Sequence, residues 1–176
     1  MSTFIATLSL AALLLSDFSE ASCAPSDEDE WVGKQAPELS TGDWLNSPPL
    51  SLKQLKGRVV LIEFWTYGCY NCLNTLPHIK AWNKKYAGKD FSIVGVHTPE
   101  FAREKNLGLV KQEVERLGIR YPVVTDNDYA TWDRYHQRYW PVVYLMDREG
   151  IIRYVHIGEG NYGETEAEIN TLLAER

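Results

Sequence analysis

The sequence predicts an α/β domain: a central mixed sheet with helices on both faces. Residues 59–65, VVLIEFW, form a nearly continuous β-branched and aromatic run, the pattern of a strand buried on both faces. A second such run, FSIVGVH, covers 91–97. Stretches with apolar residues at helical spacing separate and follow these runs, so strand and helix alternate along the chain.

Composition bounds the rest. The chain has 176 residues, 44% of them hydrophobic, which suits one domain with a real core plus appendages. Its net charge is −6 and it has no Lys/Arg-rich block, which argues against a nucleic-acid partner. Cysteines stand at positions 23, 69 and 72. One C-x-x-C pair cannot staple a fold of this size, so a disulfide framework is excluded. No second C-x-x-C or H-x3-H completes a four-ligand zinc site.

Residues 1–23 read as a signal peptide. FIATLSLAALLL, at 4–15, is too short to span a bilayer comfortably and fits an apolar export core, followed by small residues for cleavage near Ala21 or Cys23. The start, MST, lacks the Lys or Arg of a bacterial export signal. Cys23 is either the lipidated cysteine of a lipoprotein leader or part of the cleavage site. Glu20, a charge where Leu is wanted, favours the second reading. Residues 24–35 read as an acidic linker, disordered where APSDEDE carries almost no apolar surface, with the domain at 36–176 beginning near Trp31 or Ala36.

Within the domain, Gly42-Asp43 suggests a short β-hairpin and residues 51–57 a helical turn ended by Gly57. After the first buried strand, 70–86 turns helical, with Leu73, Leu76, Ile79 and Trp82 on one face and a kink at Pro77. After the second, Thr98-Pro99-Glu100 looks like a helix start, with Leu107, Val110, Val114 and Leu117 inward and Gly118 as the stop. A short strand is expected at 121–125, then a turn and short helix at 126–137. Strands at 142–146 and 151–156 join through a hairpin turn at 147–150. An amphipathic helix closes the chain from Glu164, with Ile169, Leu172 and Leu173 inward.

Cys69 falls at the first turn of a helix, where unpaired backbone N–H groups stabilise a thiolate. Cys72 lies one turn on, placed to resolve a mixed disulfide on Cys69. Strand, C-x-x-C, helix is the context the redox motif requires. Glu63, an acid in an apolar strand, would have a raised pKa if buried and would take the proton from Cys72. Trp140-Pro141 precedes a strand, and a cis peptide there would offer backbone groups to an extended substrate.

These residues carry a resemblance. Phe64-Trp65-x-x-x-Cys69-x-x-Cys72, Pro77, Glu63 and the late Pro141 resemble the thioredoxin superfamily. APELSTGDW through LSLKQLKGRVVLIEFW, and the inserted strand–helix between His97 and Thr125, are similar to its exported TlpA/ResA-type branch. WTYGCYNCLNTLP, GVHTPEF, DNDYATWDRY, RYWPVVYLMDREG and HIGEG are similar to the thioredoxin-like domain of DipZ-type redoxin proteins of cytochrome c biogenesis, often fused to a CcdA-like membrane electron carrier. The resemblance covers about 36–176. It implies a thioredoxin-like fold with an N-terminal β-hairpin extension and an inserted strand–helix, and an extracytoplasmic thiol–disulfide oxidoreductase. Cys69 would attack, Cys72 resolve, Glu63 be the buried acid and Pro141 the cis-proline. Trp65, Tyr67, Gly68, Tyr70, Asn71 and Trp140 would contact substrate. The redox group is the Cys69–Cys72 pair itself, with no separate cofactor or metal. Partners would be protein thiols or disulfides and a separate CcdA/DsbD-like membrane electron donor, with the chain a monomer. Tyr70-Asn71 replaces the Gly-Pro of ordinary thioredoxin, so the direction of electron flow does not carry over. Trp140 is bulky where a small or branched residue is usual, which narrows the groove.

Other classes fit less well. A peroxiredoxin-like peroxidase would want a proline-framed Thr-x-x-Cys motif, which is lacking. A copper- or metal-delivery module would use the cysteines with His97, His136 or His156, but such relatives space their cysteines more widely. His78 reads as a solvated helix residue.

Overall fold

The computed structural model describes residues 28 and 30–175. The expected leader, Cys23 and the first part of the linker lie outside the described residues. Along the chain come β1 (Trp44–Leu45), β2 (Val59–Trp65), α1 (Tyr70–Lys85), β3 (Phe91–His97), a 3-10 turn (Ala102–Lys105), α2 (Leu107–Arg116), β4 (Val123–Thr125), α3 (Ala130–Arg134), β5 (Val142–Met146), β6 (Ile152–Ile157) and α4 (Tyr162–Ala174). Among the described residues the sheet is six-stranded, in the order β1-β4-β3-β2-β5-β6. The inner pairs β2–β3 and β3–β4 are parallel, while β2–β5, β5–β6 and β1–β4 are antiparallel. This is the mixed α/β sheet the sequence predicts.

β2 lies in the middle and is buried at every position. Its side chains alternate between faces. Val59, Leu61 and Trp65 join Leu76, Ile79 and Trp82 of α1, Val110 and Val114 of α2 and Ile169 and Leu172 of α4 in one core. Val60, Ile62 and Phe64 join Trp31, Leu39, Leu55 and Tyr135 in the other. Three helices therefore cover one face. The segment before β2, together with α3, covers the second.

Several local expectations change. No hairpin forms around Gly42-Asp43 among the described residues. Trp44 and Leu45 pair instead with Val124 and Val123 of β4, because Thr125 N–H donates to Asp43 O (2.9 Å) and its hydroxyl accepts from Asp43 N–H (3.0 Å). Trp31–Gln35, placed in the linker from sequence, belong to the fold. Trp31 is buried against Tyr135 and Tyr144, and Gln35 bridges Ile151 at the sheet edge. Two acidic residues before it are tied to the domain: Glu28 accepts from Ile157 N–H at 2.8 Å and Glu30 meets His136 at 3.3 Å. Composition hid this because one tryptophan anchors a charged segment.

The helix expected from Thr98 starts later. Thr98 is buried, its hydroxyl donates to Asp126 at 3.2 Å, and the chain makes a 3-10 turn before α2 begins at Leu107, capped by the Asn106 side chain. α1 runs through Pro77; Leu76, Ile79 and Trp82 are buried as expected, joined by Cys72 and Thr75, while Leu73 is only half-buried. His78 stacks on Tyr162 at 3.6 Å instead of standing free in solvent.

Candidate active site

β2 ends at Trp65, residues 66–68 turn, and α1 begins. Cys69 is the N-cap of α1. Its backbone is extended (φ −85°, ψ 118°) and its Sγ accepts the Cys72 backbone N–H at 3.2 Å, the place a serine or aspartate oxygen would take. Cys69 and Cys72 are disulfide-bonded, with Cα atoms 5.2 Å apart. Cys69 is 9% exposed and Cys72 only 1%. The sulfur nearer solvent thus sits on the helix N-terminus, and the inner one has no open path to a large partner. This geometry favours a thiolate on Cys69 once the pair is reduced.

Glu63 lies on β2 in the alternation between Leu61 and Trp65, so it faces the core that holds both cysteines. It is fully buried, and burial raises its pKa to about 8 against the pull of one hydrogen bond from Tyr121. Tyr121 Oη donates to Glu63 Oε2 at 3.0 Å. Gly95 pairs with Glu63 across β3, and its missing side chain admits this contact. A Cβ there would stand 2.9 Å from Trp65 Nε1 and 3.1 Å from Tyr121 Cε2. A carboxyl that titrates near pH 8 can pass a proton to or from a thiol whose ordinary pKa is about 8.5.

The Trp140–Pro141 peptide is cis. Trp140 stacks on Trp132 with ring centroids 4.1 Å apart, and its Nε1–H donates to Thr98 O at 3.1 Å. It packs at the edge of the core that contains Cys69 and Cys72. Gly68, Tyr70 and Asn71 are exposed around the cysteines, Tyr70 by 76%, and Tyr67 and Trp140 are half-buried. Trp65 differs. It is 1% exposed and packs against His97, so it supports the site from below and offers no surface to a substrate.

His97 is fully buried, stacked under Tyr67, and burial lowers its pKa to about 4. His136 and His156 lie elsewhere, beside Glu30 and Glu28. Among the described residues no group of three His, Cys, Asp or Glu side chains is arranged to hold a metal ion. No helix among them is long and apolar enough to cross a membrane.

The sequence reading missed Tyr121, Trp132, Thr66 and Glu104. Tyr121 and Trp132 looked like ordinary core aromatics. Glu104 is fully buried and accepts the Thr66 hydroxyl at 2.7 Å. Its one sequence signal was an acid at the third position of a helical turn, the capping-box place.

Comparison with known proteins agrees with this geometry. The model of the AhpC/TSA family matches residues 32–155. Protein DipZ of Mycobacterium tuberculosis is 48% identical over 143 residues, which is 78% of this chain and 20% of DipZ. The chain thus spans about a fifth of that relative's length. The thiol-disulfide oxidoreductase YkuV of Bacillus subtilis is 29% identical over 141 residues, covering 79% of this chain and 94% of YkuV. The crystal structure of a thioredoxin-like superfamily protein superposes with a TM-score of 0.75 at 28% identity, over 81% of this chain and 97% of that one. The chain belongs to the AhpC/TSA family and has a thioredoxin-like fold.

Proposed function

We propose that this chain reduces protein disulfides outside the cytoplasm and is re-reduced by a CcdA/DsbD-like membrane electron donor. The observation that carries the exchange chemistry is the Cys69 sulfur at the N-cap of α1, with Cys72 buried one turn behind it. In the reduced chain the Cys69 thiolate attacks a substrate disulfide. That bond breaks, the Cys69–substrate mixed disulfide forms, and one substrate sulfur leaves as a thiolate. Cys72 then gives its proton to Glu63 in its ionised form, a fraction that grows as pH nears 8, and attacks the Cys69 sulfur. The second substrate sulfur leaves, and two electrons have passed from the chain to the substrate. In the reverse direction Glu63, protonated at neutral pH, supplies the proton to Cys72. Pro141 and Trp140 lay an extended substrate backbone beside the pair. Tyr67, Gly68, Tyr70 and Asn71 form the rim it meets, and the chain works as a monomer.

The export part rests on the apolar leader, and the electron donor on the likeness to DipZ-type domains. An unassisted pair in an oxidising compartment stays oxidised, so a reductant there needs a donor. Titrating the Cys69/Cys72 pair against a thiol–disulfide buffer tests the direction. A potential near thioredoxin's, about −270 mV, is expected. A value near about −120 mV makes the chain an oxidant instead.

A peroxidase reading draws on Thr66, three residues before Cys69. Its hydroxyl donates to Glu104 and also meets His97 Nε2 at 3.2 Å, so it is engaged away from the sulfur. Rapid peroxide consumption by the reduced chain would restore that reading.

A further inference from the structure

Under the turn that delivers Cys69 lies a polar cluster with no part in the exchange steps above. Glu104, in the 3-10 turn after β3, is fully buried. Among the described residues three donors converge on its Oε2: the Thr66 hydroxyl at 2.7 Å and the backbone N–H groups of Glu100 and Phe101 at 2.8 and 3.2 Å. Three donors on one oxygen hold the side chain in a single orientation. Its Oε1 has no hydrogen-bond partner among the described residues and is pressed against Gly68. A Cβ on Gly68 would stand 2.0 Å from Oε1, so residue 68 must be glycine while Glu104 stays in place.

A capping glutamate of an exposed 3-10 turn would need only the two backbone donors. Complete burial, the tie to Thr66 and the close fit under Gly68 go beyond a cap. They connect the turn after β3 to both ends of the segment 66–68, whose Thr66 carbonyl in turn accepts the Cys69 N–H at 3.3 Å.

We propose that Glu104 is a positioning residue of the redox site: its buried carboxylate fixes the 66–69 turn and holds a negative charge against Gly68, the residue before Cys69, that keeps the pair reducing. A negative charge there works against the Cys69 thiolate and so against the reduced form, opposing the helix N-terminus. The proposal rests on the oxidoreductase reading and adds the device that sets its poise.

The ionisable groups around Glu104 are few. His97, from β3, touches Thr66 but is held neutral by burial, with a pKa of about 4, and does not cancel the charge. Tyr67, from the turn itself, has its pKa raised first by burial and then by the Glu104 charge. On its own turn stand Glu100, which contributes its N–H, and Arg103, whose Nη2 comes within 3.5 Å of a Cβ placed on Gly68. Arg103 is exposed and supplies a cation on the same turn.

The test uses the full chain, reduced, with thiolate absorbance followed against pH and the pair equilibrated with glutathione. Glu104→Gln keeps the shape and the acceptor oxygen but removes the charge. It is expected to lower the Cys69 midpoint by about one pH unit, the scale of one charge at close range. The exchange constant should move about tenfold toward the dithiol, which is about 30 mV for a two-electron couple. Glu104→Asp, which keeps the charge, should return both readings most of the way. Arg103→Gln, a surface change that leaves the fold intact, should move the midpoint upward. If Glu104→Gln leaves midpoint and exchange constant within twofold of the parent, or moves them the other way, the proposal is overturned. If that variant fails to fold, Arg103→Gln decides, and an unmoved midpoint overturns it. A parent chain whose Cys69–Cys72 pair exchanges with no thiol at all contradicts the oxidoreductase reading itself, a different result from an exchanging pair that ignores residue 104.

Discussion

Glu63 and Glu104 are both fully buried glutamates near the cysteine turn, yet they are held differently. Glu63 receives one hydrogen bond, from Tyr121, and its pKa rises to about 8. Glu104 receives three on a single oxygen. Burial is the same, so the two side chains differ in how many donors hold them. In the proposed mechanism the first carries the proton of a buried thiol. The second becomes a fixed charge and a strut.

The largest expected effect lies with the sulfurs that both carboxyls serve. Cys69→Ser should lower disulfide reduction by more than about 10^3-fold, the scale for removing a nucleophile. Turnover assays with a small protein disulfide measure it, and retained activity would place the attack elsewhere.

Glu63→Gln comes next. It removes the proton carrier and should slow resolution of the mixed disulfide by about 10^2-fold, measured by rapid acid quench. It should also change stability with pH. The folded chain holds the Glu63 proton up to about pH 8, whereas an unperturbed glutamate releases it near 4.5. Between those values the unfolded state binds fewer protons, so Glu63 makes stability fall as pH rises through this window. The full loss is on the order of 5 kcal/mol above pH 8, at about 1.4 kcal/mol per pK unit. Urea unfolding from pH 5 to 9 should show this decline in the parent and a flatter profile in the variant. Parallel profiles would mean that burial does not hold the proton on Glu63, and its part as proton carrier would fall.

The strand–turn–helix at the site was legible in sequence because each part has a local cause. β2 is an uninterrupted β-branched and aromatic run, α1 has a helical repeat, and the spacing of Cys69 and Cys72 fits one helical turn. Glu63 stood out because an acid in such a strand has nowhere polar to go. Its partner did not, since Tyr121 lies 58 residues away and meets it only through the parallel pairing of β2, β3 and β4. Glu104 was hidden for the same reason, because its meaning comes from Thr66, 38 residues earlier. β1 was misplaced in a hairpin because two residues carry no register, and only Thr125 on β4 supplies one. Trp31–Gln35 looked like linker because local composition cannot report a distant aromatic pocket.

Smaller effects sharpen the same contrast. Tyr121→Phe removes the one hydrogen bond that favours ionised Glu63. The midpoint of the pH-dependent resolution step should move upward by about one unit, since a bond to a charged group is worth about 1.5–3 kcal/mol. A downward shift would show that the hydroxyl stabilises the neutral acid. Trp132→Leu should leave both carboxyls untouched. It removes the platform under Trp140, costs about 1 kcal/mol for the aromatic pair, and should raise KM for protein substrates more than for small disulfides. Equal changes for both substrate classes would take Trp140 out of the substrate groove.

The central claim is that Cys69 attacks and Cys72 resolves. Reduced Cys72→Ser chain, mixed with a disulfide-bonded peptide and analysed by mass spectrometry, tests it most directly. The account predicts a stable one-to-one adduct through Cys69, and none with Cys69→Ser under the same conditions. An adduct that forms as readily through Cys72 in the Cys69→Ser chain would contradict it.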